Sequence, residues 1–112
     1  MKGKAWVAVL AVGLAGCLAV LAGCSAPPTE PYVIGGIFSI TGPASYLGDP
    51  ENKTMELLAG ELNAKGGIKG RPVKLVIYDD EGDVTKARLN VEKLLQKDKA
   101  LAIIGPSLTH TS

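Results

Sequence analysis

Two loops carry most of the side chains that could do chemistry. "SITGPASYLG", Ser39 to Gly48, and "GPSLTHTS", Gly105 to Ser112, are rich in Gly, Ser and Thr. Hydroxyls and free backbone N–H groups at helix N-termini suit a carboxylate or another small anion. They do not supply a nucleophile with its base. His110 is the single histidine. With no carboxylate near it in sequence, it reads as a solvent-facing or supporting side chain rather than an acid–base catalyst. Asp79, Asp80, Glu81 and Asp83 form an acidic cluster. It is either a metal or phospho-acceptor site or, more plainly, a set of turn and cap residues after a strand. Tyr46 is either loop packing or an aromatic wall for a ligand. There is no GxGxxG and no P-loop, so a nucleotide site has no motif behind it.

The only two cysteines, Cys17 and Cys24, each close a Leu-Ala-Gly-Cys tetrapeptide. Lys2 and Lys4 precede a run from Ala5 to Ala22 with no charged or strongly polar residue. A basic start, an apolar run and small residues before a processing point make a secretory signal. About 18 apolar residues nearly span a bilayer, so a transmembrane helix is the competing reading. The Ala- and Gly-rich composition and the closing motif favour cleavage. "LAGC" resembles the lipobox of bacterial lipoproteins, which implies lipidation of the cysteine sulfur and cleavage before it. "LAVL" follows Cys17, whereas the polar "SAPPTEP" follows Cys24. Lipidation therefore falls to Cys24, and Cys17 stays in the discarded segment. A disulfide would join Cys24 to a residue that is removed, and zinc would need two more ligands at short spacing.

The formal charge is +1 over 112 residues. Without Lys2 and Lys4, ten of the twelve Lys and Arg remain against eleven Asp and Glu. They are scattered, and only Phe38, Tyr46 and Tyr78 add aromatics after Tyr32, so a nucleic-acid face is excluded. Residues 1–23 are the expected signal and residues 24–31 a proline-rich tether that forms neither helix nor central strand.

From Tyr32 the pattern is β-α-β-α-β. "YVIGGIFSI" is a strand of the kind covered on both faces. Gly42-Pro43 marks a turn. Asp49 and Pro50 predict a helix start, and Met55, Leu58, Ala59 and Leu62 give its apolar face to Ala64. Glu51 suits the dipole of its first turn, and Gly66-Gly67 ends it. "VKLVIYDD" is a second strand with an edge-like alternation. Asp83 caps a second helix over residues 84–96 with a stripe of Val84, Ala87, Val91, Leu94 and Leu95. "ALAIIG", Ala100 to Gly105, is a wholly apolar third strand, expected to be central. The order predicts an α/β fold with a parallel sheet and right-handed crossovers. Ligands in such sheets bind beyond the carboxyl ends of the strands, where strand order reverses. If the first strand lies between the others, the two hydroxyl-rich loops flank that crevice. The third strand lacks a covering helix, so a fragment of a longer frame is expected.

"IGGIFSITGPASYLGDPENK", "ELNAKGGIKGRPVKLVIYDDEGD" and "LLQKDKALAIIGPSLTHTS" resemble the opening of the branched-chain amino acid-binding type of substrate-binding proteins of ABC transporters. The resemblance spans residues 32–112. It implies the N-terminal part of the first lobe of a two-lobed type I periplasmic binding protein, a Venus flytrap. It also implies that a Ser or Thr after the third strand holds the ligand's α-carboxylate. Thr109 falls there, with Ser107 and Thr111 as alternatives, and Tyr46 and Leu47 line the cleft near the ligand side chain. The implied function is solute capture for an ABC permease from a lipid-anchored, extracytoplasmic position, without catalysis, cofactor or metal. A sensory receptor domain of the same fold is the runner-up. A cytosolic flavodoxin-like phospho-acceptor with Asp79 or Asp80 as its acid is a third, which export contradicts.

Overall fold

The computed structural model describes residues 30–112, so residues 1–29, with Cys17 and Cys24, lie outside the described residues. The elements are β1 (Tyr32–Phe38), α1 (Ser45–Ala64), β2 (Val73–Asp79), α2 (Val84–Gln96) and β3 (Ala102–Ile104), with a 3-10 turn at Thr109–Thr111. The sheet is parallel with order β2-β1-β3. Tyr32 stands opposite Val73 and Phe38 opposite Asp79, while Ile34 to Gly36 pair with Ala102 to Ile104. The expected α/β order and parallel pairing are present.

Each face of the sheet has its own helix. Ile37, Val76, Tyr78 and Ile103 pack with Ala87, Val91 and Leu94 of α2. Ile34, Leu75 and Ile104 line the opposite groove with Met55, Leu58 and Leu62 of α1, but of the expected apolar face only Met55 is buried and Leu58 is exposed. Strand residues alternate between faces with period two, so β1 contacts both helices. Leu94 is 0% exposed and Ala87 is buried with it. Val84 and Leu95, placed in the stripe by periodicity, are exposed. Asn90 takes the inward position instead, its side-chain amide donating to the Asp79 carbonyl at 3.1 Å.

Three further expectations change. α1 begins at Ser45, with Ala44 at its cap and Pro50 inside it. Asp49 pairs one turn on with Lys53 at 2.6 Å instead of capping. Tertiary contact draws the extra turn in: Gly48 lies so close to Ser39 that a Cβ there would stand 2.3 Å from its carbonyl. Only glycine permits that approach. Glu51 consequently lies beyond the first turn, which holds no acidic residue. β3 is three residues long and pairs only with β1, so β1 is the central strand among the described residues. Gly105, at φ +116 and with no room for a Cβ beside the Ile37 carbonyl, turns the chain out of the ladder. Pro106, lacking an N–H, cannot continue it.

Side chains lock the connections. The Asn63 amide accepts from Val73 N–H at 2.7 Å and donates to the Val73 carbonyl at 2.8 Å, standing in for a strand neighbour at the start of β2. Asp83 accepts from Lys86 N–H at 2.8 Å and caps α2 as the sequence implies. Asp79 gathers the chain leaving β1, accepting from the N–H groups of Ile40 (2.9 Å) and Thr41 (3.1 Å), from the Thr41 hydroxyl, and from Glu81 N–H (2.9 Å). Partial burial pushes the Asp79 carboxyl up, but the Thr41 hydroxyl and these backbone donors outweigh it and hold the pKa below its ordinary 3.8.

Two outcomes follow from this packing. Leu94→Ala lowers stability by about 2–5 kcal/mol, read as a shift in the urea midpoint of the intact protein. A shift worth less than about 1 kcal/mol would mean that α2 does not close this core. Because the Asp79 pKa is lower folded than unfolded, its ionised form stabilises the fold. That contribution is complete above the unfolded value and is lost as pH falls through the folded one. The stability gap between wild type and Asp79→Asn is therefore wide at neutral pH and narrows as pH falls below the ordinary carboxylate range and through the lowered folded value. A gap independent of pH would sever the link to the charge.

Candidate functional site

The carboxyl ends of β1, β2 and β3 meet three loops: residues 39–44, 80–83 and 105–112. The strand order puts β1 between the other two, which is the condition for a crevice where strand order reverses. Ser39 stands at the centre and is 0% exposed. Its N–H donates to Ser107 Oγ at 3.2 Å, and its hydroxyl donates to Asp80 Oδ1 at 2.7 Å. Asp80, also 0% exposed, accepts again from Gly82 N–H at 2.9 Å through the same oxygen. Asp80 Oδ2 is buried without a partner.

The loop after β3 turns back onto this centre. Ser107 Oγ accepts from Ser39 and donates to the Glu51 carboxylate of α1. His110 Nε2 lies 3.2 Å from the Gly82 carbonyl, bridging to the loop after β2. The Thr111 hydroxyl donates to the Leu108 carbonyl at 2.9 Å, and Thr111 is buried. The Ser112 hydroxyl donates to the same carbonyl at 3.0 Å. Thr109 is exposed. Tyr46 and Leu47, in the first turn of α1, are 74% and 37% exposed.

A hydroxyl has one proton to donate. Those of Ser107 and Thr111 are committed to Glu51 and to Leu108. Of the three nominated residues, Thr109 is the one whose hydroxyl bonds to no other described residue. The acidic cluster is structural in its contacts: Asp79 holds backbone, Asp80 holds Ser39 and Gly82, Glu81 pairs with Lys86 at 2.7 Å, and Asp83 caps α2. Among the described residues no group of three or more His, Cys, Asp or Glu could hold a metal ion.

Ser39, Asp80 and Glu51 belong to this framework, and sequence reasoning gave them no place in it. Glu51 is the one charged residue lining a cleft of about 590 Å³ between α1 and the end of β3. Phe38, Met55, Ile104 and Pro106 make most of its wall apolar. The position of Asp80 directly after an apolar strand was the available signal for a buried carboxylate. The pairing of Glu51 with Ser107 joins residues 56 apart and had none.

Comparison with known proteins agrees with this architecture. A family model described as periplasmic binding protein matches residues 31–112. The Leu/Ile/Val-binding protein of Escherichia coli (strain K12) is 37% identical over 105 residues, covering 94% of this chain and 26% of that protein. The Leu/Ile/Val-binding protein homolog 7 of Brucella suis biovar 1 (strain 1330) is 32% identical over 87 residues, covering 78% of this chain and 21% of that protein. Among solved structures, the branched-chain amino acid transporter substrate binding protein LivJ from Streptococcus pneumoniae, in complex with isoleucine, superposes with a TM-score of 0.72 at 28% identity. That match covers 73% of this chain and 24% of LivJ. The chain thus spans about a quarter of the length of the curated relatives it matches. Its fold is that of the N-terminal part of a two-lobed type I periplasmic binding protein. By the match over residues 31–112 and the shared parallel sheet, the chain belongs to the periplasmic binding protein family.

Proposed function

We propose that this chain forms part of an extracytoplasmic solute-binding protein that captures a branched-chain amino acid, or a similar amino-acid-like or amide ligand, for an ABC permease. One observation carries the reading: loops rich in backbone donors and hydroxyls, free of Lys and Arg, stand at the switch point of the sheet with the exposed Thr109 hydroxyl bonded to no other described residue. Such a surface binds a small carboxylate by hydrogen bonds and offers no nucleophile with a base. It is a binding site and not a catalytic one. Thr109 donates to the ligand carboxylate, with backbone N–H groups beside it, and Tyr46 and Leu47 face the ligand side chain. Ser107 and Thr111, the alternatives, act by fixing the loop. A second lobe closing over the solute completes the site by a hinge motion.

Residues 1–23 direct export, and Cys24 carries the lipid that anchors the protein beside its permease. Two acyl chains hold a protein firmly to a membrane where one does not.

Titration calorimetry of the intact protein against leucine, isoleucine, valine, amides and aromatic acids tests the ligand class, and absence of binding to all of them overturns it. Thr109→Ala weakens the bound solute by about tenfold or more, as expected for a hydrogen bond to a charged group. Thr109→Ser retains most of the affinity, and equal loss in both variants would remove the hydroxyl from the account. For the anchor, metabolic labelling with palmitate is lost in Cys24→Ser and kept in Cys17→Ser. Label persisting in Cys24→Ser would reverse the assignment.

A further inference from the structure

We infer that Glu51 is a positioning residue for the solute site: by taking the Ser107 hydroxyl proton it locks the loop after β3 onto α1 and leaves Thr109 as the hydroxyl free to meet a ligand carboxylate. The inference rests on the solute-binding reading above and adds a residue that lies outside both crevice loops.

Ser107 Oγ has one proton and two lone pairs. A lone pair takes the Ser39 N–H at 3.2 Å, and the proton goes to Glu51. With both contacts made, the Ser107 hydroxyl has a fixed rotor and no donor left for a solute. Hydrogen bonds to an ionised acceptor are roughly twice as strong as neutral ones. The bond to Glu51 is therefore the firm end of this bridge, and the longer contact to Ser39 is the yielding end. The bridge joins three elements at one oxygen: the end of β1, the loop after β3 and α1. Thr109 lies two residues beyond Ser107 on the same loop, so the place of its hydroxyl depends on that bridge. Glu51 itself bonds to no other described residue and lines the cleft beside α1. Its substitution therefore probes the bridge with little disturbance of the core.

Two readouts on the intact protein test this. The first is calorimetric affinity for leucine, isoleucine and valine. Glu51→Ala and Ser107→Ala each weaken binding by about tenfold, the loss expected when a charge-assisted bond is removed. The double variant is no weaker than either single one, because both act through one bridge. Glu51→Gln, which keeps an acceptor oxygen, restores most of the affinity. The second readout needs no solute. Exchange of the Ser39 amide hydrogen, followed by NMR, quickens in Glu51→Ala and stays near wild type in Glu51→Gln.

Wild-type affinity in Glu51→Ala, losses that multiply in the double variant, or Ser39 exchange unchanged by Glu51→Ala each overturn the inference. If the wild-type protein binds none of the three solutes, the functional reading fails on its own. Ser39 exchange then decides separately whether Glu51 holds the loop. Should Glu51→Ala fail to fold, Ser107→Ala and Glu51→Gln carry the same comparison.

Discussion

The site hangs on one residue at the end of the central strand. Ser39 has no exposed surface, and two loops and the first helix converge on it. Its N–H is taken by Ser107, its hydroxyl by Asp80, and its carbonyl is covered by the backbone of Gly48. A buried donor or acceptor left unmade costs about 1–3 kcal/mol. The loops after β2 and β3 are therefore held where they satisfy Ser39. The strand order makes this possible, because only a strand with neighbours on both sides presents its end to both flanking loops at once. A serine suits the place: it is small enough for Gly48 to approach, and it brings a hydroxyl for the carboxylate at the end of β2.

Much of the fold was legible in the sequence because it is local. α2 follows from Asp83 and a 3.6-residue period, and its bounds are those the pattern gives. The end of α1 follows from Gly66-Gly67, both at positive φ. The start of α1 was not legible. Asp49-Pro50 is a sound local start signal, and it lost to the contact between Gly48 and Ser39, which exists only once β1 and α1 have packed. The length of β3 was not legible for a similar reason. An all-apolar run says that a strand is covered, but not how far it pairs, and Gly105 ends the pairing at Ile104.

The site divides along the same line. Residue types in the two loops pointed to anion recognition, since composition alone says that donors are abundant. Which donors remain free is a question of pairing, and pairing joined residues 38 to 68 positions apart. Ser107, Thr109 and Thr111 are nearly equivalent as letters. In the fold one bridges α1 and β1, one closes a turn onto Leu108, and one stands in the open.

The chemistry of the crevice loops also bears on the proposed closure of a second lobe over them. Residues 39–48 and 105–112 contain no Lys or Arg. A carboxylate there is met by N–H and O–H dipoles alone. Facing water, dipoles of that kind compete with solvent for the same anion and gain little, because a hydrogen bond exchanged for one to water nets only about 0.5–1.5 kcal/mol. With water excluded the same dipoles act at low dielectric and their attraction rises several-fold. Exclusion requires cover over the exposed side of the loops, where Tyr46, Leu47 and Thr109 stand. The framework of Ser39, Asp80, Ser107 and Glu51 fixes the donors beforehand, so in the proposed site little ordering would remain to oppose a solute once covered. Rigid donors and a closing partner are thus complementary requirements of an anion site whose two hydroxyl-rich loops carry no Lys or Arg.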